Sequence, residues 1–187
     1  LITQDANVAL DIARATLASW VINCAKLLEP MYELLIDNIK SYDVAYSDET
    51  TVQVLRESGR KAQNKSYMWV FGGGQPLKRC YVYAYDKSRA HGVPLKFLEN
   101  FNGYLHTDGY SGYDALAKSM QIKLVGCWYH VRRKFIEVQK VTRRNAGISG
   151  KFLDIIKELS IIEAKAQELC LSPQSILALR QKESKPL

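Results

Sequence analysis

Three β-rich runs joined by connections too short for a crossover constrain this chain more than any other feature. Asp43 to Leu55 is rich in Val, Thr and Tyr, Tyr67-Met68-Trp69-Val70-Phe71 is a compact apolar run, and Cys80 to Tyr85 supplies a third. β-Branched and aromatic residues suit a pleated, half-buried surface, so each run reads as a strand. A polar loop separates the first two, and Gly72-Gly73-Gly74-Gln75-Pro76 reads as a turn before the third. Parallel neighbours need a long crossover, so these three strands are expected to be antiparallel in sequence.

After Tyr85 the pattern alternates. Pro94 to Asn100 reads as a short helix, Gly103 to Thr107 as a strand, and Tyr113, Leu116, Ala117 and Met120 mark a second helix. Ile122 to Trp128 reads as a strand and His130 to Val141 as a helix. Strand–helix–strand alternation places the last strands parallel in the same sheet. The expected class is therefore α/β, with a ribonuclease H-like mixed sheet of three antiparallel strands followed by parallel strands with helices.

Both flanks read as helical. Thr16 is a candidate cap for a helix whose stripe Leu17, Trp20, Val21, Cys24 and Leu28 has core-facing spacing, with a kink or restart at Pro30 and continuation through Met31, Leu34, Leu35 and Ile39. Beyond Gly147 and Gly150, the residues Phe152, Ile155, Ile156, Leu159, Ile162, Ala166 and Leu169 form one face, and Ser172-Pro173 is a cap followed by a helix start. The expected organisation is a helical lead-in over 1–42, an incomplete core over 43–146 and the start of a helical insertion over 147–187. With no initiator Met before Leu1 and no closing tail after Lys185-Pro186-Leu187, the chain reads as an excised piece.

Composition narrows the function classes. No apolar run reaches the roughly 18 residues a membrane span requires, and no signal-peptide pattern opens the chain. Cys24, Cys80, Cys127 and Cys170 are scattered without a CxxC pair, which argues against a zinc finger and for reduced thiols in a cytosol. A net charge of +7 favours polyanionic partners. The charge is concentrated: Lys123, Arg132, Arg133, Lys134, Lys140, Arg143 and Arg144 are opposed in their segment only by Glu137. Val131, Phe135 and Val138 are spaced to dock that helix onto the sheet, leaving Arg132, Arg133 and Lys134, with Arg143 and Arg144 beyond them, for DNA backbone or for solvent.

Two aspartates stand out as candidate ligands. Strand alternation puts Val44, Tyr46, Asp48, Thr50, Val52 and Val54 on one face and Glu49 on the other. A carboxylate among such neighbours is either in contact with water at a strand edge or paired with something, a metal included. Asp108 ends the fourth strand, and Gly109 gives the turn that leaves it at the sheet end, beside Asp48 if the fourth strand lies next to the first. Paired carboxylates at adjoining strand ends can hold Mg²⁺ while leaving sites for water and phosphate oxygens. Cys127 and His130 are too close in sequence to favour a nucleophile–base pair. Gly109-Tyr110-Ser111-Gly112 is no nucleophile elbow, and Gly72-Gly73-Gly74 is no phosphate loop.

Several motifs then occur together and in order: Asp48-Glu49-Thr50; Gly59-Arg60-Lys61-Ala62-Gln63 leading to Tyr67-Met68-Trp69-Val70; Thr107-Asp108-Gly109-Tyr110 with Gly112-Tyr113; and Cys127-Trp128-Tyr129-His130-Val131-Arg132-Arg133-Lys134-Phe135. In these the chain resembles the DDE transposases of the insertion sequence sixty-six family over nearly its whole length. The resemblance implies that Asp48 and Asp108 are the first two catalytic, metal-binding acids, and that Cys127 and His130 belong to a Cys-x-x-His signature. It implies a third acid, a Glu, beyond Leu187, so that this piece by itself is expected to be inactive; Glu137 is a distant second candidate. The implied chemistry is Mg²⁺- or Mn²⁺-dependent cleavage at transposon ends followed by attack of the freed 3′-OH on target DNA. The implied setting is a bacterial cytoplasm, with DNA as partner, a homo-oligomer assembled on it and no membrane. A ribonuclease H-like nuclease or resolvase, and a non-catalytic DNA-binding remnant, are the alternative readings.

Overall fold

A computed structural model of the chain describes residues 12–75, 78–90, 92–119, 121–142 and 147–187. The chain divides into two compact units, one ending at Val125 and one spanning Gly126–Leu187.

The first unit is built on a five-stranded mixed sheet of order β3-β2-β1-β4-β5. Its strands are β1 (Val44–Gln53), β2 (Lys65–Gly73), β3 (Cys80–Asp86), β4 (Gly103–Thr107) and β5 (Ile122–Gly126). As expected, β1, β2 and β3 are antiparallel in sequence, and β4 pairs parallel with β1. Gly72 and Gly73 do not form a turn: they continue β2 opposite Tyr46 and Ala45, and the reversal begins at Gly74. Helices α2 (Gly92–Phe97) and α3 (Asp114–Ser119) fall close to the expected segments.

One face of the sheet carries the core. Cross-strand rows run Ser47–Phe71–Val82 and Glu49–Trp69–Ala84, with Ala45 and Leu105 beside them. Phe97 stacks on Phe71, and Tyr113 meets the Trp69 ring edge-on. Leu98, Leu116 and Ile122 complete the buried cluster. The apolar pattern of β1 pointed to the opposite face. Val44 is 41% exposed, whereas Ala45 is fully buried, so the core side of β1 is the one bearing Ala45, Ser47 and Glu49. Neighbouring strands supply the large apolar side chains there, so Ala45 and Ser47 suffice beside them.

Helix α1 (Arg14–Lys40) ends where expected but departs from expectation at its start and at Pro30. It starts before Thr16, with Ala13 at the cap position, and runs unbroken through Pro30. Its expected core stripe is exposed: Trp20, Val21 and Leu28 are each more than half accessible. At a rise of 1.5 Å per residue, a helix this long extends roughly 40 Å, further than the sheet it packs on. Only its last turns reach the core, through Leu35, Ile36 and Ile39, with the Tyr32 hydroxyl donating to the Tyr83 carbonyl at 3.0 Å.

The second unit is helical: α4 (Trp128–Thr142), α5 (Ile148–Glu168) and α6 (Pro173–Leu179), the last continued by a π-helical turn. Phe135 of α4 stacks on Phe152 of α5 at 4.7 Å. Ser172 caps α6 as expected, accepting from the Ser175 amide, with Pro173 at the first helical position. Arg180 grips Glu163 of α5 with two bonds of 2.7 Å, a planar fork on a carboxylate.

Candidate active site

The parallel pairing of β1 with β4 sets the site. Val44, Ala45 and Tyr46 lie opposite Tyr104, Leu105 and His106. Asp48, within β1, and Asp108, just past the end of β4, each follow the last paired positions by two residues, and neighbouring strands are spaced about 4.8 Å apart. Gly109 follows with φ +83°, a left-handed conformation that Gly adopts without strain, and it turns the chain at the strand end. Asp108 Oδ1 accepts from the Tyr110 amide at 2.8 Å, and Asp48 Oδ1 from the Glu49 amide at 2.9 Å.

Beside this pair lies a polar network that sequence reasoning missed. The Glu49 side chain is 1% exposed, in the same row as Trp69. A buried carboxylate is tolerated only with full pairing. Arg89, from the segment after β3, supplies it: Nε donates to Glu49 Oε1 at 2.5 Å, and a terminal nitrogen contacts the same oxygen. The Tyr113 hydroxyl donates to Glu49 Oε2 at 2.8 Å. Since that hydroxyl has a single proton, the 3.0 Å contact with Ser47 is donated by the serine. The same terminal nitrogen of Arg89 stands 3.5 Å from Asp108 Oδ2. The guanidinium lies 3.8 Å over the Tyr110 ring, whose hydroxyl donates to the Arg89 carbonyl at 3.3 Å.

Electrostatics follow from these contacts. Burial by itself would lower the Arg89 pKa, but the hydrogen bond and charge of Glu49, with the charge of Asp108, outweigh it and hold the group above its ordinary value. Burial pushes the Tyr113 hydroxyl well above the usual tyrosine range; Glu49 adds to this, and the hydrogen bond from Ser47 opposes it. Parity along β1 was the signal for Glu49, which alternates with Asp48 and shares a side with Ala45 and Ser47. Arg89 carried no signal, being one basic residue in a loop.

The donor set fits a hard divalent cation. Asp48 and Asp108 offer carboxylate oxygens, the ligand type of Mg²⁺ and Mn²⁺, and Mg²⁺ binds through one or two carboxylates with water and phosphate oxygens completing its shell. Glu49 is committed to Arg89 and Tyr113. Among the described residues, no group of three or more His, Cys, Asp or Glu is placed to hold a metal.

The remaining expected residues lie in the helical unit. Cys127 is a free thiol whose carbonyl accepts the His130 and Val131 amides, opening α4. Arg132, Arg133 and Lys134 are exposed, and Glu137 is an exposed acid 3.9 Å from Lys134. Arg143 and Arg144 lie outside the described residues. The partner observed for Phe135 is Phe152. Among the described residues no helix is long and apolar enough to cross a membrane.

The motif around Arg60 proves structural. Its guanidinium donates to Glu57 Oε2 at 3.0 Å, Ser66 Oγ at 2.8 Å and the carbonyls of Lys87 at 2.7 Å and Lys65 at 3.0 Å. It clasps the β1–β2 loop to the end of β3.

Comparison with known proteins agrees with this reading at the level of family. The chain is similar to two proteins of Sinorhizobium fredii, the uncharacterized protein y4hP (28% identical, covering 95% of this chain and 35% of that protein) and the uncharacterized protein y4jD (32% identical, covering 84% and 32%). It thus spans about a third of the length of these curated relatives. No solved structure matches the chain significantly. The family model described as Transposase IS66 family matches residues 3–187, nearly the whole sequence, and the chain belongs to that family.

Proposed function

We propose that Asp48 and Asp108 are the acid pair of a DDE-type catalytic core that cleaves DNA at insertion-sequence ends and joins it to target DNA. The ribonuclease H-like character of the sheet, the division at 42/43 and 146/147, and assembly as a homo-oligomer on DNA belong to the same proposal. The observation that supports it is the parallel β1–β4 pairing, beyond which Asp48 in β1 and Asp108 after β4 follow at equal offsets. Each has one oxygen held by a backbone amide, which fixes the carboxylate plane. Asp48 and Asp108 would hold a hard divalent cation, which would supply Lewis-acid stabilisation of the attacking and leaving oxygens of a phosphodiester. Arg132, Arg133 and Lys134 hold DNA backbone through sequence-independent contacts.

The test is Mn²⁺ binding, followed by titration calorimetry on this chain. Asp48→Asn and Asp108→Asn are each expected to remove measurable binding while leaving the thermal midpoint within a few degrees. In a protein of the relatives' full length carrying this sequence, either change should abolish strand cleavage. A variant that binds Mn²⁺ like the parent would show that its aspartate is no ligand.

A further inference from the structure

We infer that Arg89 is a phosphate-contacting residue, holding a non-bridging oxygen of the DNA phosphodiester beside the acid pair; this rests on the reading of Asp48 and Asp108 given above. A guanidinium has five N–H donors in a rigid fork. In Arg89, Nε and one terminal nitrogen are taken by Glu49 and Asp108. The other terminal nitrogen has no acceptor among the described residues, and the side chain is 38% exposed. The N–H groups of that one nitrogen are therefore left to meet a ligand.

The way this guanidinium is held separates it from an ordinary surface arginine. Glu49 is buried and is itself locked by Tyr113, and the Tyr110 ring supports the guanidinium from one face. The cation is thus immobilised before any ligand arrives, so little rotamer freedom remains to be lost on binding. Stability does not account for such an arrangement, because a buried ion pair is often no better than well-packed apolar residues of the same volume. A phosphodiester suits the site: one of its non-bridging oxygens can accept from the remaining terminal nitrogen, a charge-assisted contact, and carboxylates on their own would repel it. The required anion is a phosphate ester brought in with a divalent cation.

The experiment measures binding of a short DNA duplex to the chain by fluorescence anisotropy, in Ca²⁺ and across a salt series. Arg89→Gln and Arg89→Lys are compared with the parent. Both are expected to bind about tenfold more weakly, with a log K versus log [salt] slope shallower by about 0.9. The lysine change fails to rescue because its compact ammonium, drawn to Glu49, does not extend to the position of the guanidinium's remaining terminal nitrogen. Because Arg89→Gln leaves Glu49 buried without its cation, Glu49→Gln/Arg89→Gln serves as a charge-balanced variant, and the same loss is expected from it. Parent-like affinity and slope in the folded double variant would overturn the inference, as would full rescue by lysine or absence of duplex binding by the parent. A Mn²⁺ titration without DNA tests the acid pair separately: retained binding in Asp48→Asn sinks that reading, whereas the Arg89 contact is decided by the slopes.

Discussion

Tyr113→Phe removes one oxygen atom from the core and leaves the ring in place. Tyr113 is 1% exposed and Ser47 is 4% exposed, so water cannot substitute for what is lost. Glu49 loses a donor at 2.8 Å and Ser47 loses an acceptor at 3.0 Å. A hydrogen bond to a buried charge contributes about 1.5–3 kcal/mol and a neutral one about 1 kcal/mol, which puts the destabilisation at about 2–4 kcal/mol. With a urea m-value of about 2 kcal/mol per M, the midpoint should fall by about 1–2 M. Trp69 reports it directly, because it is fully buried whereas Trp20 and Trp128 are more than half exposed. Its emission should shift to the red as the core opens. The alkaline limb provides a second readout. The folded state raises the Tyr113 pKa above the ordinary value of 10.0, so the unfolded chain gives up that proton first. Stability is therefore kept below about pH 10 and lost as pH rises beyond it. The Phe variant should lack this part of the loss. A midpoint shift below about 0.3 M, or an alkaline profile identical to the parent, would refute the network as drawn.

Three further outcomes are expected. A Cβ at Gly103 would stand 2.4 Å from the Asp43 carbonyl oxygen, so Gly103→Ala should push β4 off β1, lower stability by about 1–3 kcal/mol and weaken Mn²⁺ binding at the same time; unchanged Mn²⁺ affinity would dissociate the register from the site. Glu57 is held below its ordinary value of 4.5, chiefly by the Tyr85 hydrogen bond, with Ser66, Arg60 and Lys87 also favouring its charge against burial. The stability it adds is present above that value and lost as pH falls through the lowered one, so Glu57→Gln should show a flatter decline in thermal midpoint between about pH 5 and 3. Arg132→Ala/Arg133→Ala should flatten the salt slope of duplex binding by about two units, with equal weakening on unrelated sequences; an unchanged slope would assign these charges to solubility.

Much of the architecture was legible because it is local. Period-two runs of β-branched and aromatic residues, short links and the Ser172-Pro173 cap act within a few residues, and the strands and α6 lie where those signals put them. The neighbour relation of β1 and β4 followed from connection rules and is observed. What failed was anything that depends on which side of an element meets a partner. The face of β1 with more apolar residues is the more open one, because Trp69, Phe71 and Leu105 fill the core from adjoining strands. The stripe on α1 is exposed because the helix is longer than the sheet beneath it. The Glu49–Arg89–Tyr113 network joins residues 40 and 64 positions apart in the chain. Nothing within a sequence window couples a loop arginine to a strand glutamate. That coupling arises only when burial removes water from the carboxylate and requires a cation in its place. The sequence alone determined the elements and their order; tertiary packing decided which carboxylate of β1 is sequestered and which cation stands beside it, because burial and partner choice act between residues far apart in the chain.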